Sequence, residues 1–272
     1  MNNLKQIFTI AKNESKPLYF ATLASFALIL PAVIGLAFDE RTLLDVNVWL
    51  KPFKFAVSQG IYTLSIAALF SLYPYSSRKK KIVGHIISWT MMTELLIIFY
   101  QGSRGVQSHY NMSSPLDALL YATMGIFVTI NVVLMMLFLV DTMRLKLKCE
   151  KSMQWAILIA WLIVIIGCAV GGKMIGQLGH NVGVADGGAG LPITNWSTVA
   201  GDLRIAHFFG LHGLQLVPLF AFFVSKKLNL SMPKEITLVT LFGAAYAGWI
   251  GFTYYQASLG MPLIGTNVIN AI

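Results

Sequence analysis

Apolar runs of about 20 residues recur along this chain, and nothing else in the sequence constrains its fold as strongly. They lie at approximately Leu18–Phe38, Phe53–Tyr73, Ile82–Gly102, Leu116–Val140, Met153–Gly172, Asp202–Val224 and Glu235–Ser258. A helix of about 20 residues crosses the roughly 30 Å of hydrocarbon in a bilayer. Helix is the form such a run takes, because lipid offers no partner to a backbone N–H or C=O. Composition agrees, at 56% hydrophobic and 11% charged with a mean hydropathy of +0.69. The chain is therefore expected to be all-α: an integral membrane bundle of seven transmembrane helices in contact with the lipid bilayer, one domain from 1 to 272.

Basic residues set the expected orientation. Lys5, Lys12 and Lys16 precede the first run, and alternate connections carry Arg78–Lys81, then Arg144, Lys146, Lys148 and Lys151, then Lys226, Lys227 and Lys234. These are fourteen of the 20 Lys and Arg, and the positive-inside rule makes their side cytoplasmic. The N-terminus is expected inside, the C-terminus outside, and the protein in the inner membrane as a multi-pass chain. The net charge of +9 is explained by these short juxtamembrane loops, so no nucleic-acid partner is called for. Cys149 and Cys168 lie on separate elements and form no CxxC, which indicates neither a disulfide framework nor a thiolate metal site.

Polar residues inside such runs are costly and are usually retained because they face a cavity, a partner or a cofactor. The sixth run carries Asp202, Arg204, His207, His212 and Gln215. Four of the five histidines, His109, His180, His207 and His212, fall on the outer half of the expected topology. Glu94 and His212 are each placed roughly 12 to 14 Å below the outer boundary, and Gln59 at about 9 Å. Helical spacing puts Glu94, Gln101 and Arg104 on one inward face. Lys51 and Lys54 in "NVWLKPFKF" run against the positive-inside trend and suit an anion, or a pair with Asp45 or Glu94. "QGSRGVQSHYN" can cap a cavity and present His109, and the glycine-rich Gly179–Pro192, with His180 and Asp186, reads as a mobile or re-entrant outer loop that can close over the site. His207 and His212 stand at i, i+5, which is not the i, i+4 of a helical HxxxH metal pair.

Glycines at 167, 171, 172 and 176, and the small residues Gly243, Ala247 and Gly251, form stripes that let helices approach closely, within the chain or between copies in an oligomer. No GxxxxGK[ST] occurs, and no lysine stands in the seventh run to form a retinal Schiff base.

At "WLKPFKF", "SRGVQSHYN" and "GDLRIAHFFGLHGLQ" the chain resembles a family of uncharacterised bacterial multi-pass membrane proteins, which implies a topology and no chemistry. Over about one helix and one loop, Gly190–His207, it is also similar to haem A synthase, and that resemblance implies haem.

Three functions stay open at this level. The first is a polar, histidine-containing site open to the outer side that binds haem or a transition metal (zinc, iron or copper) for redox chemistry. Its ligands would come from His109, His180, His207 and His212, with Glu94, Arg104 and Arg204 as acid–base and electrostatic groups. The second is an ion-coupled transporter of a small anionic ligand from the outer side, with Lys51, Lys54, Arg104 and Arg204 recognising the anion and Glu94 titrating. Lys51, Lys54, Gln101, Asp202 and Gln215 are the candidate substrate-binding residues at this level. The third is a membrane assembly partner without catalysis.

Overall fold

The structure is a computed structural model and describes residues 2–265. In chain order the helices are α1 (Asn2–Glu14), α2 (Lys16–Ala27), α3 (Ile29–Phe38), α4 (Leu50–Leu69), α5 (Ser77–Ser103), α6 (Pro115–Arg144), α7 (Lys151–Gly176), α8 (Leu203–Lys227) and α9 (Met232–Ser258). Two short antiparallel pairs interrupt them, β1 (Thr42–Leu43) with β2 (Val46–Asn47), and β3 (Asn181–Val182) with β4 (Gly201–Asp202). The first pair closes through Leu44 and Asp45, both at positive φ, as a two-residue hairpin turn requires.

Six lengths among the described residues are long and apolar enough to cross a membrane: Lys16–Phe38, formed by α2 and α3 end to end, and α5 to α9. The protein is thus a multi-pass membrane chain with an all-helical framework. The expected second span, Phe53–Tyr73, corresponds to α4. That helix is 20 residues long, or about 30 Å, but Lys51, Lys54, Ser58 and Gln59 make it less apolar than the six.

Boundaries shift in two instructive places. The RKKK run, read as a loop, is the first turn of α5, where the Ser76 hydroxyl accepts the Lys79 N–H. The N-terminal arm is helical as well, forming amphipathic α1 with Ala11 buried and Lys5 and Lys12 exposed. A pattern of 13 residues before a stronger apolar run is easily read as mere flanking charge.

The chain forms two compact units: residues up to Leu134 with Leu145–Lys148, and Met135–Arg144 with the chain from Cys149 onward. In the first, α2, α4 and α5 pack together, with α1 against α2 and α4. Its core holds Leu18, Ala56, Ile66, Ile87 and Leu95, and Met124 of α6 meets Ile97 and Ile98. Apolar side chains cover the outside, Trp89 being 71% and Leu119 63% exposed, as lipid-facing positions should be.

In the second unit, α7, α8 and α9 pack mutually, and Phe138 stacks on the buried Trp161 with ring centroids 5.1 Å apart. Of the glycines expected to allow close packing, Gly167, Gly171 and Gly243 do so here. A Cβ on Gly167 would lie 2.8 Å from the Gly210 backbone, so α7 and α8 meet main chain to main chain. Gly243 packs on Ile159 and Gly213 on Ile163, whereas Gly172, Gly176 and Gly251 have open space beside them.

Candidate functional site

The sequence-predicted site residues divide into two groups, one in each unit, and each group is built by its own local structure.

In the first unit the entry to α4 is fixed before the site begins. Asn47 accepts the Trp49 N–H at 2.8 Å, and the Trp49 indole donates to Asp39 at 2.8 Å. The Trp49 ring occupies the space left by the missing side chain of Gly35. Hydrogen bonds from Arg41 and Trp49 hold the Asp39 carboxyl well below the usual carboxylate range. So anchored, the first turn of α4 directs Lys51 to His109, with Nζ 3.1 Å from Nδ1. An ammonium can only donate, so Nδ1 accepts and the neutral ring carries its proton on Nε2. Ser108 Oγ stands 3.2 Å from the same nitrogen, and the Phe55 ring lies 6.0 Å from the imidazole and 5.7 Å from Nζ.

Glu94, on α5, which packs against α4, is 6% exposed. It stands nine residues before the end of its helix, about 13 Å in. A carboxylate at that depth costs a few kcal/mol unless a cation or a proton offsets its charge.

Polar groups continue below. Gln59 donates to Ser25 Oγ at 3.1 Å and lies 3.4 Å from the Met92 sulfur. Thr63 and Thr22 share a hydroxyl bond of 2.8 Å. Lys51, Gln59 and Thr63 are spaced by multiples of four, so they form one stripe along α4, covering about 18 Å of its length. Helical rise puts Gln59 near the depth of Glu94, but nothing in the sequence marks Ser25, Thr22 or Thr63, because hydroxyls are common in helices and only a packed partner distinguishes them.

Gln101 and Arg104 behave otherwise. Gln101 is fully buried and donates to Asp117 at 2.8 Å, while Arg104 Nη1 reaches Gln101 Oε1 at 2.7 Å and Asp117 Oδ1 at 2.6 Å. Ser114 and Ser113 complete the shell around Asp117. This knot ties the end of α5 to the start of α6. Its central residue, Asp117, was not singled out, since an acidic residue in a helix's first turn is ordinary.

In the second unit Asp202 caps α8, accepting the Arg204 N–H at 3.0 Å, and is gripped by the Arg204 guanidinium at 2.6 to 3.2 Å. Ser197 N–H adds a bond at 2.9 Å, and Arg204 also donates to the Asn195 carbonyl. Burial pushes the Asp202 carboxyl up, but the Arg204 bonds and charge outweigh it, and the group lies below its ordinary range. His180 stands between two acids, Nε2 3.4 Å from Asp186 and Nδ1 3.9 Å from Asp202. Burial and the Arg204 charge nevertheless hold the imidazole below its usual value. Asp186 also accepts the His180 and Asn181 N–H groups. The loop read as a mobile or re-entrant lid is bonded by β3–β4 pairing, these bonds, and Leu203 N–H to the His180 carbonyl.

His207 and His212 each direct Nδ1 to a backbone carbonyl, of Gly167 and Phe208, at 2.8 Å. A carbonyl only accepts, so in both rings Nδ1 is protonated and Nε2 carries the lone pair. Gly171 leaves room for the His207 ring, and His212 stacks on Phe208 with centroids 4.0 Å apart. Lys54 and Gln215 are half-buried on α4 and α8.

No family model, curated protein or solved structure matches the chain. The two resemblances noted above therefore rest on the residues quoted for them, and function is argued from the site. Among the described residues, no group of three or more His, Cys, Asp or Glu side chains is placed to hold a metal ion.

Proposed function

We propose that this is an inner-membrane protein of seven spans, α4 included, with its N-terminus cytoplasmic and its C-terminus outside, which couples protonation of Glu94 to the uptake of a small anion from the outer side. The observation that carries this reading is a buried carboxylate, Glu94, on the helix packed against α4, whose first turn presents the Lys51 ammonium to His109. An anion arriving at the mouth of α4 competes for the Lys51 ammonium. Stripped of its counter-charge, the Glu94 carboxylate cannot stay ionised at low cost and takes a proton. Anion and proton are then held together, and the pair is electrically neutral when it moves. The Gln59, Ser25, Thr63 and Thr22 stripe supports an onward polar path through the unit, which the sequence had not suggested.

The test uses vesicles reconstituted with the full chain and a trapped pH indicator, with inorganic phosphate and lactate as the probe anions. Proton uptake should accompany one of them, and Glu94→Gln, which mimics the protonated acid, should abolish the proton signal while anion binding persists. If the Glu94→Gln protein carries as many protons per anion as the native one, the coupling role is lost.

A second reading has its own support in the second unit. The Gly167 carbonyl fixes the His207 tautomer and leaves Nε2 as a potential ligand, the usual way a ligating imidazole is oriented. His207 and His212 are the residues that would hold haem or a transition metal there, and such a group would supply redox chemistry. The donor set fits single ligation by an imidazole and not a cage of protein side chains. An absorbance spectrum and elemental analysis of protein never exposed to chelator decide it. A Soret band or stoichiometric iron, copper or zinc that His207→Ala removes would favour this reading.

A further inference from the structure

We infer that the basic end of the first unit holds an anionic phospholipid in a groove at the start of α5, with the headgroup phosphate on Arg78 and Lys79 and an acyl chain along Ile82, Ile86 and Trp89. The groove has a volume of about 230 Å³ and is lined by Ser76, Arg78, Lys79, Ile82 and Val83. Its two halves differ in chemistry. Two cations stand at one end with no acid among the lining residues, and two aliphatic side chains stand at the other.

The helix terminus itself is not the binding element, because Ser76 Oγ already takes the Lys79 N–H. Lys80 is committed to Glu14 on α1 and does not enter the groove. Lys79 Nζ sits 3.8 Å from the centre of the Tyr75 ring, which places that cation at the mouth. The Arg78 side chain is exposed and carries a planar fork suited to phosphate oxygens.

What selects a lipid over a soluble phosphate is the continuation. Ile82 is 49% exposed, Ile86 36% and Trp89 71%. At spacings of four and three they form one face of α5 leading away from the cations. The stripe descends by about 10 Å, enough to lie along half of one leaflet's chains. A ligand that satisfies cations and stripe together has a negatively charged head and a hydrocarbon tail. The net charge of the lining favours an anionic head over a zwitterionic one.

The experiment is native mass spectrometry of the full chain released from detergent containing equal phosphatidylglycerol and phosphatidylcholine. Retention of phosphatidylglycerol in excess is expected. Arg78→Gln with Lys79→Gln should weaken it roughly thirtyfold, at about 1 kcal/mol per basic residue. Lys5→Gln with Lys12→Gln, the same charge loss on α1, should leave retention unchanged. Ile82→Ser with Ile86→Ser keeps every charge and should also weaken retention, which guards against misfolding of the first pair. Equal retention of the two lipids, equal loss in both charge-loss pairs, no loss with the serine pair, or displacement of the lipid by inorganic phosphate would each overturn the proposal.

Discussion

At the scale of single residues, position and partner decide whether a charge is chemistry or fastening. Glu94 and Asp117 are both buried carboxylates in the first unit, at 6% and 3% exposure. Asp117 is enclosed by Arg104, Gln101, Ser113 and Ser114, whereas Glu94 sits about 13 Å into α5 from its end. Arg104, expected from the sequence to act on a ligand, is committed to the knot. Asp117→Asn should therefore lower the thermal unfolding midpoint of detergent-solubilised protein, because it removes the charge that Arg104 was placed to meet. Arg104→Lys should lower it less, since an ammonium keeps the charge but loses the fork that reaches both partners. Proton coupling per anion should survive both changes, and its loss would mean that the knot belongs to the reacting site. The sequence showed these residues and their spacing. It did not show which acid finds four donors, because those donors come from two separate stretches, the end of α5 and the residues just before α6.

Among elements, close approach and capping give the sharpest expectations. Gly167 and Gly210 let α7 and α8 touch along their backbones, so Gly167→Leu should cost about 1–3 kcal/mol of stability, read from the unfolding midpoint. A leucine at Gly172, with open space beside it, should cost little. The cap around β3 and β4 should loosen in acid. His180 lies below its ordinary value of 6.5, so the folded cap binds fewer protons than the open one, and its contribution is full above that value and falls below it. Asp202 lies below 3.8, so its contribution is present above that value and lost at lower pH. Both effects run in one direction. Hydrogen exchange of residues 181–202, corrected for intrinsic rate, should show protection falling between about pH 7.5 and about pH 5. Unchanged protection would show that the two aspartates dominate over burial and Arg204 at His180.

For the whole molecule, the open question is the path of the chain across the bilayer, and Cys149 offers a handle. Burial, with Glu150 beside it, pushes this thiol up to about 11, so labelling is slow at neutral pH and should quicken about tenfold per pH unit. In a Cys168→Ser background, an impermeant maleimide should miss Cys149 in intact cells and reach it in inverted vesicles. A Ser258→Cys probe at the end of α9 should behave the opposite way. Identical sidedness for the two sites would remove one of α7, α8 and α9 from the proposed spans.

The membrane class was legible in the sequence because apolar run length is a one-dimensional property, set by the bilayer and not by any neighbour. Helix packing through glycine was legible for the same reason, as a spacing. The bond between Lys51 and His109, the Asp117 knot and the cap around β3 and β4 were decided only by tertiary structure. Each depends on groups distant in sequence meeting at hydrogen-bond or contact range, and no periodicity along the chain encodes which of several polar residues will meet.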